Sequence, residues 1–507
     1  MNYFRKCVLS LFCASLAVNA MADDVITLTT SKPIGEKITL MLNPVGEISI
    51  AWGDDAFETY LTTDLPFRVV EGELKGQTIT IKAADNRLTM LNCNGQQVTN
   101  IDVTQAPNLR SLYCHNNLLE SIALSKASKL TDLDLSNNLF ANKISITTKS
   151  HPMLENINLA NNELTNNGTM GNFNFPATNL QYVNISNNKF VKLNFKNSNL
   201  FDALFCADNK ISSIDLSTNA ETTTLYAPNN EIKTLKLAES NGMKQLVAPN
   251  NKLTTLDLSG SESLQTLNVS HNALTSMSFA NIKLHTLACD NNNLSFGSLP
   301  AAKYKPENYN IAPQAPLSIA GIMKKTENNV PYVDVCPNYA ERNDEAYVIN
   351  IGDYREGPGH SSSGVVVKAF RLDENGQEVE LTKATFTAQD NEYSYASGKL
   401  TFFKPMSNVF LKFTNNTYTE LELVTELFCV GQDVATGIDQ VYEPSNDLQI
   451  IPAQGVLTLV SSQRTLVNIF NVAGKKVWGG TVVGTQTIPL PTGVFIVNGQ
   501  KISINAK

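Results

Sequence analysis

One phrase, L-x-(C/L/I/V/A)-x-x-N-x-(L/I/F/V), recurs along the chain and constrains its architecture more than any other feature. Its polar residue falls at Gln96, Asn117, Asn138, Asn162, Asn188, Asn209, Asn230, Asn251, Asn272 and Asn292, and six of the nine intervals are 21 residues. The exceptions are 24 residues before Asn162, 26 before Asn188 and 20 before Asn292. Extra residues, such as the Gly- and Asn-rich 166–174, then belong in loops on the back of a coil whose strand face keeps its register.

The spacing has a physical reading. In LYCHNNLLESIAL, Leu112 and Cys114 lie two apart and share the inward side of a strand, while Tyr113 points out. Asn117 turns inward, where its amide can serve backbone groups of neighbouring turns that would otherwise be buried without partners, at about 1–3 kcal/mol each. Leu119, Ile122 and Leu124 fill the opposite wall. A single repeat cannot bury that filling; a stack of them can, at about 1.5–3 kcal/mol per fully buried Leu or Ile.

At these residues the chain resembles the leucine-rich-repeat family, in its short 21-residue bacterial form with cysteine at an inward strand position, as in some internalins. LFCADNKISSIDLSTN (Leu204 to Asn219) and LACDNNNL (Leu287 to Leu294) carry the pattern, and the resemblance spans Leu88 to Leu299. It implies a mainly β chain built around a solenoid with a parallel β ladder, and a role in binding other macromolecules. Cys93, Cys114, Cys206 and Cys289 share one inward slot, filled elsewhere by Leu135, Leu159, Ile185, Ala227, Ala248 and Val269. The slot reads as packing rather than metal or redox chemistry. Cys114 and Cys206 stand four repeats apart, about 19 Å, which excludes a disulfide between them.

The flanks divide the rest. Residues 1–22 read as an export signal: Arg5 and Lys6, an apolar run from Val8 to Val18, and the small-x-small Ala20-Met21-Ala22. Residues 23–80 alternate apolar with polar side chains, as in Ile38-Thr39-Leu40-Met41, and read as an N-terminal β cap over the solenoid of 81–300. Within the cap, Trp52-Gly53-Asp54-Asp55 resembles the W-G-D-G turn of some bacterial surface β-domains, and its acids read as solvated rather than calcium-bound. Pro306, Pro313 and Pro316 mark 301–317 as a linker. Residues 318–431 carry short strand-like runs separated by turns, the pattern of a β-sandwich. Cys336 and Cys429, near its two ends, are a candidate disulfide, which would contribute about 4–5 kcal/mol across so long a loop.

After a second linker, 432–454, the segment 455–507 reads as a small β domain with hairpin turns at Asn471 to Gly474 and Val497 to Gln500. LVNIFNVAGKKVW followed by LPTGVFIVNGQKISI resembles the C-terminal sorting tail of type IX secretion in Bacteroidetes, which implies passage across the outer membrane. It departs from that family in its tight final hairpin and its ending at Ala506-Lys507.

The chain carries 39 basic and 47 acidic side chains, and the signal takes Arg5 and Lys6 with it. So acidic a protein is a poor match for nucleic acid or an anionic membrane surface. Nothing after the signal is apolar for long enough to span a bilayer. The five histidines, His115, His151, His271, His285 and His360, are not at ligand spacing, and no nucleophile, zincin or phosphate-loop motif is present. Asp132 and Asp134 form an outward carboxylate pair without a partner cluster, and Gly357 to Gly364 reads as a mobile loop. No enzyme activity, metal or cofactor is expected.

Repeat phase identifies the outward column between the inward positions: Asn92, Tyr113, Asp134, Asn158, Asn184, Phe205, Tyr226, Val247, Asn268, Ala288. Phe205, Tyr226 and Val247 should stand side by side about 4.8 Å apart, with Tyr182 in the adjoining column. Apolar side chains clustered on the outer face gain nothing from the core. Tyr113, Tyr182, Phe205, Tyr226 and Val247 are therefore the candidate contact residues for a protein ligand outside the cell, with a surface glycan as the alternative.

Overall fold

The computed structural model describes residues 23–504 apart from 45, 62–66, 85–86, 142–143, 145–150, 166–172, 175–179, 196–201, 319–338, 341, 344–345, 353–355, 358–363, 374, 386–390, 397, 405, 431–447, 472–475 and 498–499. The signal, most of the 166–174 insertion, Cys336 and His360 lie outside the described residues. The chain forms two compact units, one of residues up to 292 with 304–311, the other of 293–303 with 312 onward. No helix among the described residues is long and apolar enough to cross a membrane.

The first unit opens with strands β1 (Asp24–Thr30), β2 (Lys37–Pro44), β3 (Glu47–Ala51), β4 (Phe57–Leu61), β5 (Arg68–Glu73) and β6 (Thr78–Ala83), followed by β7 (Leu88–Asn92) and β8 (Val98–Gln105). Their alternation is the two-residue period of the sequence: in β1, Ile26 and Leu28 are buried while Val25, Thr27 and Thr29 are half-exposed. β4-β3-β6-β1-β8 form an antiparallel sheet, while β2 pairs antiparallel with both β5 and β7. β2 and β5 thereby extend the ladder beyond its first rung, so that rung does not present an open edge.

The Trp52 turn is a structural feature of this cap. The indole is buried with its Nε1 3.2 Å from Glu58 Oε2 and from Tyr60 Oη, and a Cβ on Gly72 would collide with the ring. Gly53, at φ +109°, packs against the Gly76 backbone, and Asp54 is ion-paired with Lys75 at 3.2 Å.

From β7 the chain climbs a parallel ladder through Ser111–Tyr113, Asp132–Asp134, Asn156–Asn158, Tyr182–Asn184, Ala203–Phe205, Thr224–Tyr226, Gln245–Val247, Thr266–Asn268 and Thr286–Ala288. In each three-residue rung the central residue is buried and its neighbours face outward. Registers hold across the irregular intervals, Leu133 pairing with Ile157 and Ile157 with Val183. Shorter parallel pairs form the opposite wall, Ser213–Leu216 with Thr234–Leu237 and Thr255–Leu258 with Ser276–Phe279. The unit is a leucine-rich-repeat solenoid.

One boundary differs from the proline-based reading. Asn308–Asn310, inside the 301–317 stretch, is a further rung paired with Thr286–Ala288. Pro306 and Pro313 flank the rung rather than interrupt it, and the Asn308 N–H donates to His285 O at 3.0 Å.

In the second unit, Tyr339–Ala340, Phe428–Val430, Met406–Asn415, Val365–Leu372 and Glu378–Glu380 lie in order in one sheet. Arg342–Asn343, Ala346–Asn350, Lys399–Phe402 and Tyr393–Ala396 form another. Phe402 of one meets Phe428 of the other edge-on at 6.0 Å, giving a β-sandwich-like core. Tyr418 is buried and donates its hydroxyl to Pro300 O at 3.1 Å.

The last strands, Gln449–Ala453, Val456–Asn471, Lys476–Pro489, Gly493–Val497 and Gln500–Ile504, form an antiparallel sheet over Leu457, Leu459, Val467, Ile469, Val482 and Val497. Val497 pairs with Gln500 in a hairpin. The turn residues themselves lie outside the described residues.

Candidate functional site

The outward face is built on the ladder beneath it. Asn117 donates its Nδ2 to the carbonyls of Cys93 and Cys114, both at 3.0 Å, and accepts at Oδ1 from the N–H groups of Gln96 and Val98 at 3.0 and 2.9 Å. Asn138, Asn162, Asn188, Asn209, Asn230, Asn251, Asn272 and Asn292 make the corresponding bonds to their own rung and the one before. Gln96 departs from the series. No parallel rung precedes it, and its longer side chain reaches the cap, where Oε1 accepts from Thr39 N at 3.1 Å and Lys32 Nζ at 3.0 Å.

A second series accompanies the first. Gly95, Asn116, Asn137, Asn161, Asn187, Asp208, Asn229, Asn250, His271 and Asn291 all hold positive φ, between 54° and 67°. The turn that swings each ladder amide inward requires a left-handed residue just before it, a conformation that Gly, Asn and Asp adopt most cheaply. That is why the repeats carry Asn-Asn doublets. The exposed amides of this row link edge to edge, Asn187 donating to Asn161 at 2.7 Å, Asn229 to Asp208 at 2.8 Å and Asn250 to Asn229 at 2.9 Å.

Two outward columns flank the central residue of each rung. On the Asp132–Asp134 and Asn156–Asn158 rungs they are polar and internally satisfied. Asp132 accepts from Asn156 Nδ2 and Thr131 Oγ1, both at 2.7 Å, and Asp134 accepts from Ser136 N at 2.9 Å, Ser136 Oγ at 2.6 Å and Asn158 Nδ2 at 3.1 Å. The carboxylate pair is thus spent on the ladder. No group of three or more His, Cys, Asp or Glu side chains among the described residues is arranged to hold a metal ion. Tyr113 sits among these acids, its phenol pushed up by burial first and by the charges of Asp132 and Asp134 second.

Further along the ladder the face turns aromatic. The rings of Tyr182 and Phe205 lie 5.3 Å apart, those of Phe205 and Tyr226 6.0 Å apart, each pair tilted by 39°. Phe205 pairs in register with Tyr226, and Tyr226 with Val247. Tyr226 is 41% exposed, and Tyr182, Phe205 and Val247 are half-buried. These four come together on four consecutive rungs. Tyr113 stands apart in the polar half, with Asp134, Asn158 and Asn184 between it and Phe205 in the same column.

Backbone chemistry explains part of this change. At Asn158, Asn184 and Asn268 the side-chain Oδ1 accepts from the N–H two residues on, at 3.2, 3.1 and 3.2 Å. Asp134 does the same. Two residues after Tyr226 and Val247 stand Pro228 and Pro249, which have no N–H to cap. An apolar side chain forfeits nothing there. Two residues after Phe205 stands Ala207, which does carry an N–H, so at that rung a ring occupies a position where a side-chain acceptor could cap.

The candidate disulfide falls outside the described residues. Cys429 pairs by its backbone with Tyr339, but Cys336 and the Cys429 side chain lie outside the described residues.

No family model matches the chain, and no curated protein matches it. Among solved structures it is similar to the functional domain of InlJ from Listeria monocytogenes, which includes a cysteine ladder, at 14% identity over 69% of this chain and 93% of that one, with a TM-score of 0.23. It is similar to YopM from Yersinia enterocolitica at 23% identity, over 42% of this chain and 48% of that one, with a TM-score of 0.33. A leucine-rich-repeat protein of Leptospira interrogans is similar at 17% identity, over 43% of this chain and 57% of that one, with a TM-score of 0.32.

Proposed function

We propose that this chain is an exported, surface-associated protein that binds another protein through its outward strand face, with Tyr182, Phe205, Tyr226 and Val247 as the anchor and Tyr113 toward the margin. The observation that carries the reading is Phe205. A ring occupies a position where a side-chain acceptor could cap, stands between two further rings on the solvent side of the sheet, and adds nothing to the core. Aromatic side chains clustered on a face and ringed by neutral polar groups are the composition of an interface centre.

Export rests on the signal-like residues 1–22, and surface delivery on the resemblance of 455–507 to a sorting tail. A glycan ligand is the second reading, favoured by the uncharged Asn and Thr side chains at Asn184, Thr224, Thr266 and Asn268 around the rings. The test is a pull-down from candidate host and bacterial extracts beside a glycan array, using the wild-type chain and the Phe205→Ala and Tyr226→Ala variants. A protein ligand captured by the wild type should bind each variant more weakly by about 1–2 kcal/mol. Equal capture by correctly folded variants removes this face from the function, and array binding without protein capture transfers it to glycans.

A further inference from the structure

Cys93, Cys114, Cys206 and Cys289 all occupy the slot after the central rung residue, and all four side chains are buried. Their neighbours along the ladder differ. Cys206 lies between the rungs that place Ile185 and Ala227 in that slot, and Cys289 follows the rung of Val269. Cys93 and Cys114 belong to consecutive rungs. Asn92 pairs with Tyr113, the Cys93 N–H donates to Tyr113 O at 3.0 Å, and the two Sγ atoms lie 3.2 Å apart. Parallel neighbours stand about 4.8 Å apart, inside the Cα separation of about 4.4–6.8 Å that a disulfide spans.

We propose that Cys93 and Cys114 are a cross-linking pair, joined as a disulfide between the first two rungs when the chain folds in the presence of a disulfide-bearing oxidant. One cysteine thiolate attacks the oxidant's S–S bond, forming a mixed disulfide and releasing one thiol. The second thiolate then attacks the protein sulfur of that mixed disulfide and releases the other thiol. The two cysteines lose two protons and two electrons, and the oxidant's disulfide becomes two thiols.

The exchange belongs to folding, before the rungs close. In the folded ladder no oxidant reaches the slot, and burial pushes the Cys114 thiol well up and out of its reactive form. The link would close a loop of 21 residues at the rung that meets the cap strand β2. Cys206 and Cys289 are internal controls, in the same slot with no cysteine on the described rungs beside them.

The full chain, unfolded in denaturant and refolded in a mixture of reduced and oxidised glutathione, should be alkylated under denaturing conditions, digested without reduction and mapped by mass spectrometry. The expected result is a linked Cys93–Cys114 peptide, with Cys206 and Cys289 alkylated and the link opened by dithiothreitol. Alkylation or glutathionylation of both Cys93 and Cys114, or a bond from either to any other cysteine, overturns the proposal.

Discussion

The polar rungs from Asp132 to Asn184 and the aromatic rungs from Phe205 to Val247 share one backbone, register and inward filling, yet spend their outward side chains differently. In the first group Asp134, Asn158 and Asn184 each fold back onto an N–H two residues on, so the face is tied to its own backbone. In the second group Phe205 and Tyr226 lie ring against ring, and Tyr182, on the last of the polar rungs, joins them from the adjoining column. The solenoid is thus held by what points inward, and the outward columns are free to be allotted either to local bonding or to a partner.

That division predicts its largest effect where the two groups should not differ. Asn138 serves the polar rungs and Asn230 the aromatic ones, with equivalent partners: Leu119 N, Cys114 O and Leu135 O for one, Ile211 N, Cys206 O and Ala227 O for the other. Removing either amide leaves several buried backbone groups without partners, at about 1–3 kcal/mol each. Asn138→Ala and Asn230→Ala should each destabilise the chain by about 3 kcal/mol or more, to similar extents, in denaturant unfolding followed by circular dichroism. A large cost at one site and none at the other would mean that the ladder is not the common support.

The next effect separates the groups. Asn158→Ala, on a rung that holds its own backbone, should leave partner affinity within about twofold, while Phe205→Ala should weaken it about tenfold. Affinity measured by surface plasmon resonance with the captured ligand decides between them. Equal losses would spread the binding surface over the polar half and deprive the rings of their special place.

Much of this was legible in the sequence because the repeat is a ruler. The recurring phrase, across intervals of 20 to 26 residues, sets Leu112, Leu133 and the central residues beyond them in register, and so assigns each column, including the run Phe205, Tyr226, Val247. What escaped is set by backbone conformation and by the ends. The left-handed residue before each ladder amide leaves its trace in the Asn-Asn doublets, but spacing of apolar residues carries no information about φ. Pro228 and Pro249 are plain in the sequence, yet their meaning depends on knowing which N–H a column residue caps. The rung Asn308–Asn310 lacks the repeat phrase and lies among prolines, and only its pairing with Thr286–Ala288 reveals it. Gln96 fits the phrase but serves the cap, because a terminal repeat has a different neighbour.

The smallest effect probes the choice between a cap and a ring most directly. Phe205→Asn places an acceptor two residues before Ala207, whose N–H it can cap as Asn184 caps Ser186 at 3.1 Å. Tyr226→Asn places the same side chain before Pro228, where no N–H exists. Phe205 touches two rings and Tyr226 one, so the comparison is made in a Tyr182→Ala background, where each substitution removes the same Phe205–Tyr226 contact. Phe205→Asn should therefore leave the chain more stable than Tyr226→Asn by about 0.5–1.5 kcal/mol, the net worth of one hydrogen bond, while both weaken partner binding. Paired denaturant titrations with matched slopes would resolve the difference. Equal stabilities would mean that the N–H of Ala207 gains nothing from a cap, and the aromatic face would then rest on strand packing alone, with Phe205 no longer marking a site where a ring stands in place of a cap.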